Sequence, residues 1–141
     1  MPFGKSMGSA QMKLMAVRQT DRGGGQVHLE ADYVGDVTGE AAGNHYATFT
    51  MSVNENDDPA RPIPFTYIGT TLLTSGATQA ATGSGFAART GKGHNARLRG
   101  LLRSSPNKDP KLAEVNNMIV AVEWEYDAAT NMMKAEGCEW K

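Results

Sequence analysis

The sequence predicts an all-β protein, an antiparallel up-and-down barrel of about eight strands with one short helical turn before the last hairpin. Three observations predict it. Short segments alternate between apolar and polar residues, which is the pattern of a strand with one buried face. Most of the 16 glycines fall between these segments, where tight turns need a positive φ. The 141 residues suit one domain, which we expect to span 1–141.

Eight segments carry the alternating pattern, and turn-forming residues separate them. In chain order they span residues 11–18, 26–34, 44–53, 65–73, 77–82 (or 77–89), 96–103, 118–126 and 131–140. The third is the clearest, since His45, Phe49 and Val53 share an apolar face opposite threonine and serine. The seventh is equally regular, and its β-branched and aromatic residues favour a strand.

Two stretches depart from this pattern. Residues 54–64 contain three prolines and several polar turn formers, which predicts a loop. Residues 110–116 follow Asp109, which suits a helix cap with Pro110 at the first helical position. We expect one or two helical turns there and then a strand. The alternative is a single helix through residue 126, because apolar residues recur there at helical spacing.

Closure into a barrel is favoured because an open sheet of eight short strands would leave two edges unpaired. An eight-stranded barrel has room for packed side chains or for one small ligand. The alternative architecture is a two-sheet sandwich. It requires longer crossover connections than this sequence offers.

Two short motifs resemble a known group of barrels. They are Tyr-Val-Gly-Asp-Val-Thr-Gly-Glu at 33–40 and Asp-Pro-Lys-Leu-Ala-Glu-Val-Asn-Asn at 109–117, ahead of the last hairpin. Together with the rhythm of strands and turns, they look like small bacterial proteins of the calycin and allene oxide cyclase-like kind, many without an assigned function. The resemblance implies a barrel that binds small hydrophobic molecules or directs their isomerisation or cyclisation. No catalytic residue of such an enzyme matches a position in this sequence.

Aromatic residues and methionine dominate the predicted inward faces. Such a set would line an apolar pocket, and it would equally fill a barrel core. If the interior is a pocket, the predicted ligand-binding residues are Phe49, Met51, Phe65, Trp124 and Tyr126.

His45 opens an otherwise apolar strand face, so its imidazole would lie at one mouth of the barrel. There it could exchange a proton with a bound ligand, or it could cap the core. If the protein is an enzyme, the candidate catalytic residues are His45, Tyr67 and Tyr33. They would move protons while the barrel walls hold the substrate folded.

The other titratable residues do not predict a metal site or a cofactor, and we expect neither. His28 shares a polar face with Glu30 and Asp32, a spacing that would present three metal ligands together. Strand alternation, however, commonly places such triplets on the solvent face. Cys138 is the single cysteine, so it forms no disulfide within the chain. Without a basic neighbour to activate it, we expect a small core residue.

The net charge is only −1, but the charges are unevenly distributed. Residues 87–111 contain seven Lys or Arg against one Asp, a composition that can contact phosphates. Arg97, Arg99 and Arg103 alternate along one predicted strand, opposite a strand with two glutamates. Cross-strand ion pairs are the favoured interpretation, ahead of an anionic ligand or a subunit contact. Nucleic acid is the least favoured partner, since the pI is 6.3 and no aromatic residues are interleaved here.

Three functional hypotheses follow from these patterns. The first is binding of a small, largely apolar molecule inside the barrel. The second is an isomerase or cyclase that uses the same cavity. The third is a self-assembling barrel without a ligand, and a homo-oligomer is compatible with all three. No apolar run has the length of a signal peptide or a membrane helix, so we expect a cytoplasmic protein with no membrane partner.

Overall fold

Eight antiparallel strands form a closed barrel, in which each strand pairs with the next one and β8 pairs with β1. This computed structural model describes residues 3–39, 41–54, 56, 58–91, 93–105 and 118–140. The strands are β1 (Phe3–Gly23), β2 (Gln26–Thr38), β3 (Gly43–Asn54), β4 (Ile63–Leu73), β5 (Thr78–Arg89), β6 (Ala96–Ser104), β7 (Ile119–Asp127) and β8 (Met132–Trp140). The predicted fold class is therefore confirmed. The helical turn predicted for 110–116 lies outside the described residues.

The first strand is much longer than the eight residues predicted for it. Its register against β2 shifts between Leu14 and Ala16 and again between Gln19 and Asp21. Each shift is a bulge, and a bulge changes which of the following residues face inward. The apolar–polar alternation is therefore interrupted twice, which hides the full length of the strand in the sequence.

The middle of the barrel is filled by aromatic rings. Trp124 and Phe49 are each 1 % exposed, and their rings meet edge to face with centroids 5.3 Å apart. Phe65 and Tyr67 contact both of these rings at centroid distances between 5.2 and 5.7 Å. Edge-to-face contacts of this kind add to the free energy gained by burying the rings. The aromatic residues and the methionine predicted to face inward do so: Tyr33, Phe49, Phe65, Tyr67 and Trp124 are buried in this cluster, and Met51 and Tyr126 pack against it.

A second, smaller apolar cluster lies at one end of the barrel. Leu73 is buried there, and four partly buried residues pack against it: Met7, Ala41, Ala77 and Met118. They come from β1, from the β2–β3 and β4–β5 connections, and from the residue before β7. This cluster covers the end of the barrel beyond Thr71.

Two glycines allow the barrel wall to bend sharply between β5 and β6. Gly85 and Gly100 are register partners and lie on the inward side of their strands. A Cβ added at Gly85 would overlap the carbonyl oxygen of Arg99 and lie 2.6 Å from the Cα of Gly100. Because both atoms belong to the backbone of the neighbouring strand, a side chain could fit only if the strands moved apart.

We expect Gly85→Ala to lower the free energy of unfolding by about 1–3 kcal/mol, the usual cost of inserting atoms into a packed site. The matched control is Gly91→Ala, because a Cβ at Gly91 meets nothing within 4 Å. It should be neutral or slightly stabilising, since alanine restricts the unfolded chain. Urea denaturation of the two variants measures the difference. Equal midpoints would contradict the close approach of β5 and β6.

Candidate functional site

A buried chain of three polar side chains lies between the aromatic core and the Leu73 cluster. The Nε2 atom of His45 is 2.8 Å from the Tyr67 hydroxyl, and its Nδ1 atom is 2.8 Å from Oγ1 of Thr71. All three residues are buried. Both ring nitrogens are thus satisfied, and no buried side-chain N or O atom of the described residues lacks a hydrogen-bond partner.

The strand register explains why these side chains meet. His45 on β3 is the register partner of Thr71 on β4, and Tyr67 lies four residues before Thr71, on the same inward face. Gly69 lies between these two positions. A Cβ there would overlap the hydroxyl of Tyr67, so the absence of a side chain makes room for the tyrosine to reach His45.

Burial keeps this chain neutral near pH 7. It lowers the pKa of His45 to about 4, because the charged imidazolium would lose its hydration. Burial also raises the pKa of Tyr67, since the phenolate would be desolvated. A general acid or base works best with a pKa near the operating pH, and neither group has one. The arrangement is therefore better suited to linking β3 and β4 than to transferring protons.

The third candidate catalytic residue lies apart from this chain. Tyr33 contacts Phe49 and Tyr126 edge to face, with ring centroids 5.5 and 6.2 Å away. Burial raises its pKa as well. The structure thus brings His45 and Tyr67 together, and it places Tyr33 among aromatic rings.

The predicted ligand-binding residues contact one another. Phe49, Phe65 and Trp124 pack as the aromatic core, while Met51 and Tyr126 are partly buried against it. In this arrangement the rings occupy the space that a ligand in the middle of the barrel would need.

The outer surface carries an open groove of about 1200 Å³. It is lined by adjacent rows of register partners that cross the strands from β3 to β8. One outward row, which we call the floor row, is Thr50, Thr66, Ser84, Leu101, Ala121 and Cys138, and beside it lies the inward row of Met51, Phe65, Gly85, Gly100 and Val122. One side is bounded by the next row of partners: Pro64, Phe86, Arg99, Glu123 and Glu136. Trp140 also lines the groove, beyond Cys138 on β8.

The groove has two chemically different halves. Its β3–β5 half has the three hydroxyls of the floor row, and its β6–β8 half has Leu101, Ala121 and Cys138. Cys138 corrects a prediction: it is half-buried on the outer face, not a core residue. On β8 the buried positions are Met133 and Ala135, so Cys138 falls on the opposite, outward parity.

Met51 and Phe65 line the groove and belong to the predicted ligand-binding set, whereas the outward-facing groove residues were not predicted from the sequence. Phe86 and Leu101 stand at outward positions of β5 and β6, and both are exposed. A large apolar residue out of phase with its strand's buried face was the available signal.

Charged side chains pair across the strands, as predicted for the basic stretch. Arg97 contacts Glu125 at 3.0 Å, and Arg99 contacts Glu123 at 2.8 Å. Between β1 and β2, Arg18 contacts Glu30 and Asp32, the two carboxylates that share a polar strand face with His28. Among the described residues, no group of three or more His, Cys, Asp or Glu side chains is placed to hold a metal ion.

No family model, no curated protein and no solved structure matches this chain. The resemblance to calycin and allene oxide cyclase-like barrels accordingly stays a prediction. In the described ranges, no helix is long and apolar enough to cross a lipid bilayer. Function must therefore be inferred from the site itself.

Proposed function

We propose that this barrel is a binding module for a small, largely apolar molecule, and that the molecule binds in the β6–β8 half of the outer groove. One observation carries the proposal. The whole groove offers about 1200 Å³, more than a drug-sized ligand needs, and in this half Leu101, Ala121, Cys138 and Trp140 line it. The packed aromatic core favours a site on the outside over one in the interior.

The shape of this half suits a flat or extended apolar ligand. Leu101 and Trp140 are large and partly exposed, whereas Ala121 and Cys138 between them on the floor have short side chains. A ligand over the short residues would contact Leu101 on one side and the indole on the other. Burying apolar area in this way contributes about 25 cal/mol per Å².

The edge of the groove supplies polar contacts. The ion pair between Arg99 and Glu123 lies along one side, next to Glu136 of β8. A ligand with one polar end could place that end there while its apolar body covers the floor. A few polar groups at the edge of an apolar site typically fix a ligand's orientation.

The test uses N-phenyl-1-naphthylamine, a neutral apolar fluorophore that accepts energy from tryptophan. We expect saturable binding, and we expect Leu101→Glu to weaken it by about tenfold or more, since a carboxylate would then occupy the floor. Leu72→Glu is the matched control. Leu72 is 45 % exposed and Leu101 is 46 % exposed, but Leu72 lies outside the groove.

Trp140 provides a second variant in the groove. Trp140→Ala should also weaken binding of the fluorophore, because it removes apolar surface from the β6–β8 half. Equal affinities of the wild type, Leu101→Glu and Trp140→Ala would contradict the proposal and point to the interior.

A further inference from the structure

The outer face of β3, β4 and β5 carries no charged side chain between residues 44 and 86. Its fifteen outward positions are Asn44, Tyr46, Thr48, Thr50, Ser52, Pro64, Thr66, Ile68, Thr70, Leu72, Thr78, Ala80, Thr82, Ser84 and Phe86. We call these residues the neutral face. Every other strand of the barrel presents Lys, Arg, Asp or Glu on its outer side.

The neutral face also exposes large apolar side chains. Ile68 and Phe86 are each 62 % exposed, and Tyr46 and Leu72 are exposed as well. Scattered surface hydrophobic residues are ordinary, but a contiguous uncharged surface with four such residues is typical of an interface. Depletion of charge is the compositional feature that distinguishes interface centres from the remaining surface.

We propose that the neutral face binds a second copy of this chain, in a symmetric pair whose two-fold axis runs along β4. In such a pair each residue of β4 meets its own counterpart, and the outward residues of β3 meet those of β5 in the same register row. A face without charge can meet itself in this way without like-charge repulsion.

The register rows make the face complementary to itself in size. Tyr46, Thr70 and Ala80 form one row, so the two-fold axis places the large Tyr46 opposite the small Ala80 of the other copy. At the end of the face that contains Pro64, the two-fold rotation places the large Phe86 opposite β3 of the other copy. It lies there near Ser52, which is also small. The barrel wall curves away on both sides of β4, and these two rings would fill the space that the curvature leaves.

The size of the face predicts weak association. β4 has 11 residues, so the face is roughly 36 Å long, and three strands make it roughly 14 Å wide. The footprint is then about 500 Å² on each copy, near the lower limit of specific interfaces. We therefore expect a dissociation constant on the order of 10–100 µM. The pair would cover the β3–β5 half of the groove and leave Leu101 and Trp140 accessible.

Sedimentation velocity from about 10 to about 500 µM tests the pair. We expect a concentration-dependent dimer, and we expect Ile68→Lys to weaken it by at least about tenfold, because two lysines would then meet at the axis. Met15→Lys is the matched control, since Met15 is also 62 % exposed but lies on β1. It should dimerise as the wild type does.

A mixing experiment tests whether the two-fold axis passes through the middle of β4. Ile68→Lys and Ile68→Glu should each dimerise more weakly than the wild type, and an equimolar mixture should form a heterodimer, because a two-fold axis through the middle of β4 brings the two positions together. A wild type that stays monomeric throughout, or a mixture that stays monomeric, would overturn the proposal. So would equal dimerisation of Ile68→Lys and Met15→Lys. Binding of the fluorophore in the groove is measured separately, so either proposal can fail alone.

Discussion

Replacing Trp124 with alanine is expected to lower the free energy of unfolding by about 3–5 kcal/mol, the range for removing a fully buried large aromatic side chain. The indole is 1 % exposed, and three aromatic rings contact it: Phe49, Phe65 and Tyr67. Its loss would leave a cavity bordered by the walls of several strands. Strands that are hydrogen-bonded to both neighbours can move inward only a little, so the cavity would persist.

Trp140→Ala is the matched control. It removes the same atoms as Trp124→Ala, but from a side chain on the outer surface that is 42 % exposed. We expect a loss of about 1 kcal/mol or less. Thermal denaturation should separate the variants by roughly 10 °C, given the few degrees that each kcal/mol shifts the midpoint in a domain of this size. Similar midpoints for the two alanine variants would show that the interior is not packed around Trp124.

Acidification is expected to destabilise the barrel through His45. The imidazole has a pKa of about 4 in the folded protein and about 6.5 in the unfolded chain, so the unfolded chain binds the extra proton between these values. The stability that His45 contributes is complete above pH 6.5, decreases as the pH falls, and is fully lost below pH 4. The pKa difference corresponds to about 3 kcal/mol.

The measurement is the unfolding free energy at several pH values for the wild type and for His45→Gln. Protonation of the carboxylates affects both proteins equally, so the difference between their curves isolates the histidine. His94→Gln controls for a histidine on an exposed turn. If the wild-type and His45→Gln curves ran parallel from pH 7 to pH 4, His45 would not be buried as a neutral group.

The fold could be predicted from the sequence because most strands have one buried and one solvated face. In such a strand apolar and polar residues alternate, and this alternation is visible directly in the sequence. β3 shows the relation well: His45, Ala47 and Phe49 are buried in alternation with more exposed residues. The same reasoning failed for β1, where bulges interrupt the period. The position of each bulge depends on how β1 pairs with a neighbouring strand. The sequence of β1 alone therefore does not predict it.

The candidate site could be predicted only in part, for a similar reason. That His45 faces inward follows from its own strand, but its partner Thr71 is defined by the pairing of β3 with β4. The outer groove depends on rows that cross six strands, so its floor from Thr50 to Cys138 has no counterpart in any single segment. By contrast, the absence of charged residues from β3 and β4 is visible in the sequence once the strand bounds are known.

The closure of the barrel also has a kinetic consequence. In the described part of the chain, seven of the strand pairings join consecutive strands, and the pairing of β8 with β1 joins the two ends. Hairpins form within microseconds, whereas bringing distant segments together carries a larger loop-closure entropy. The last pairing should therefore limit the folding rate. Until it forms, the hairpin ladder presents two unsatisfied backbone edges, and slow closure at high concentration would favour aggregation over folding.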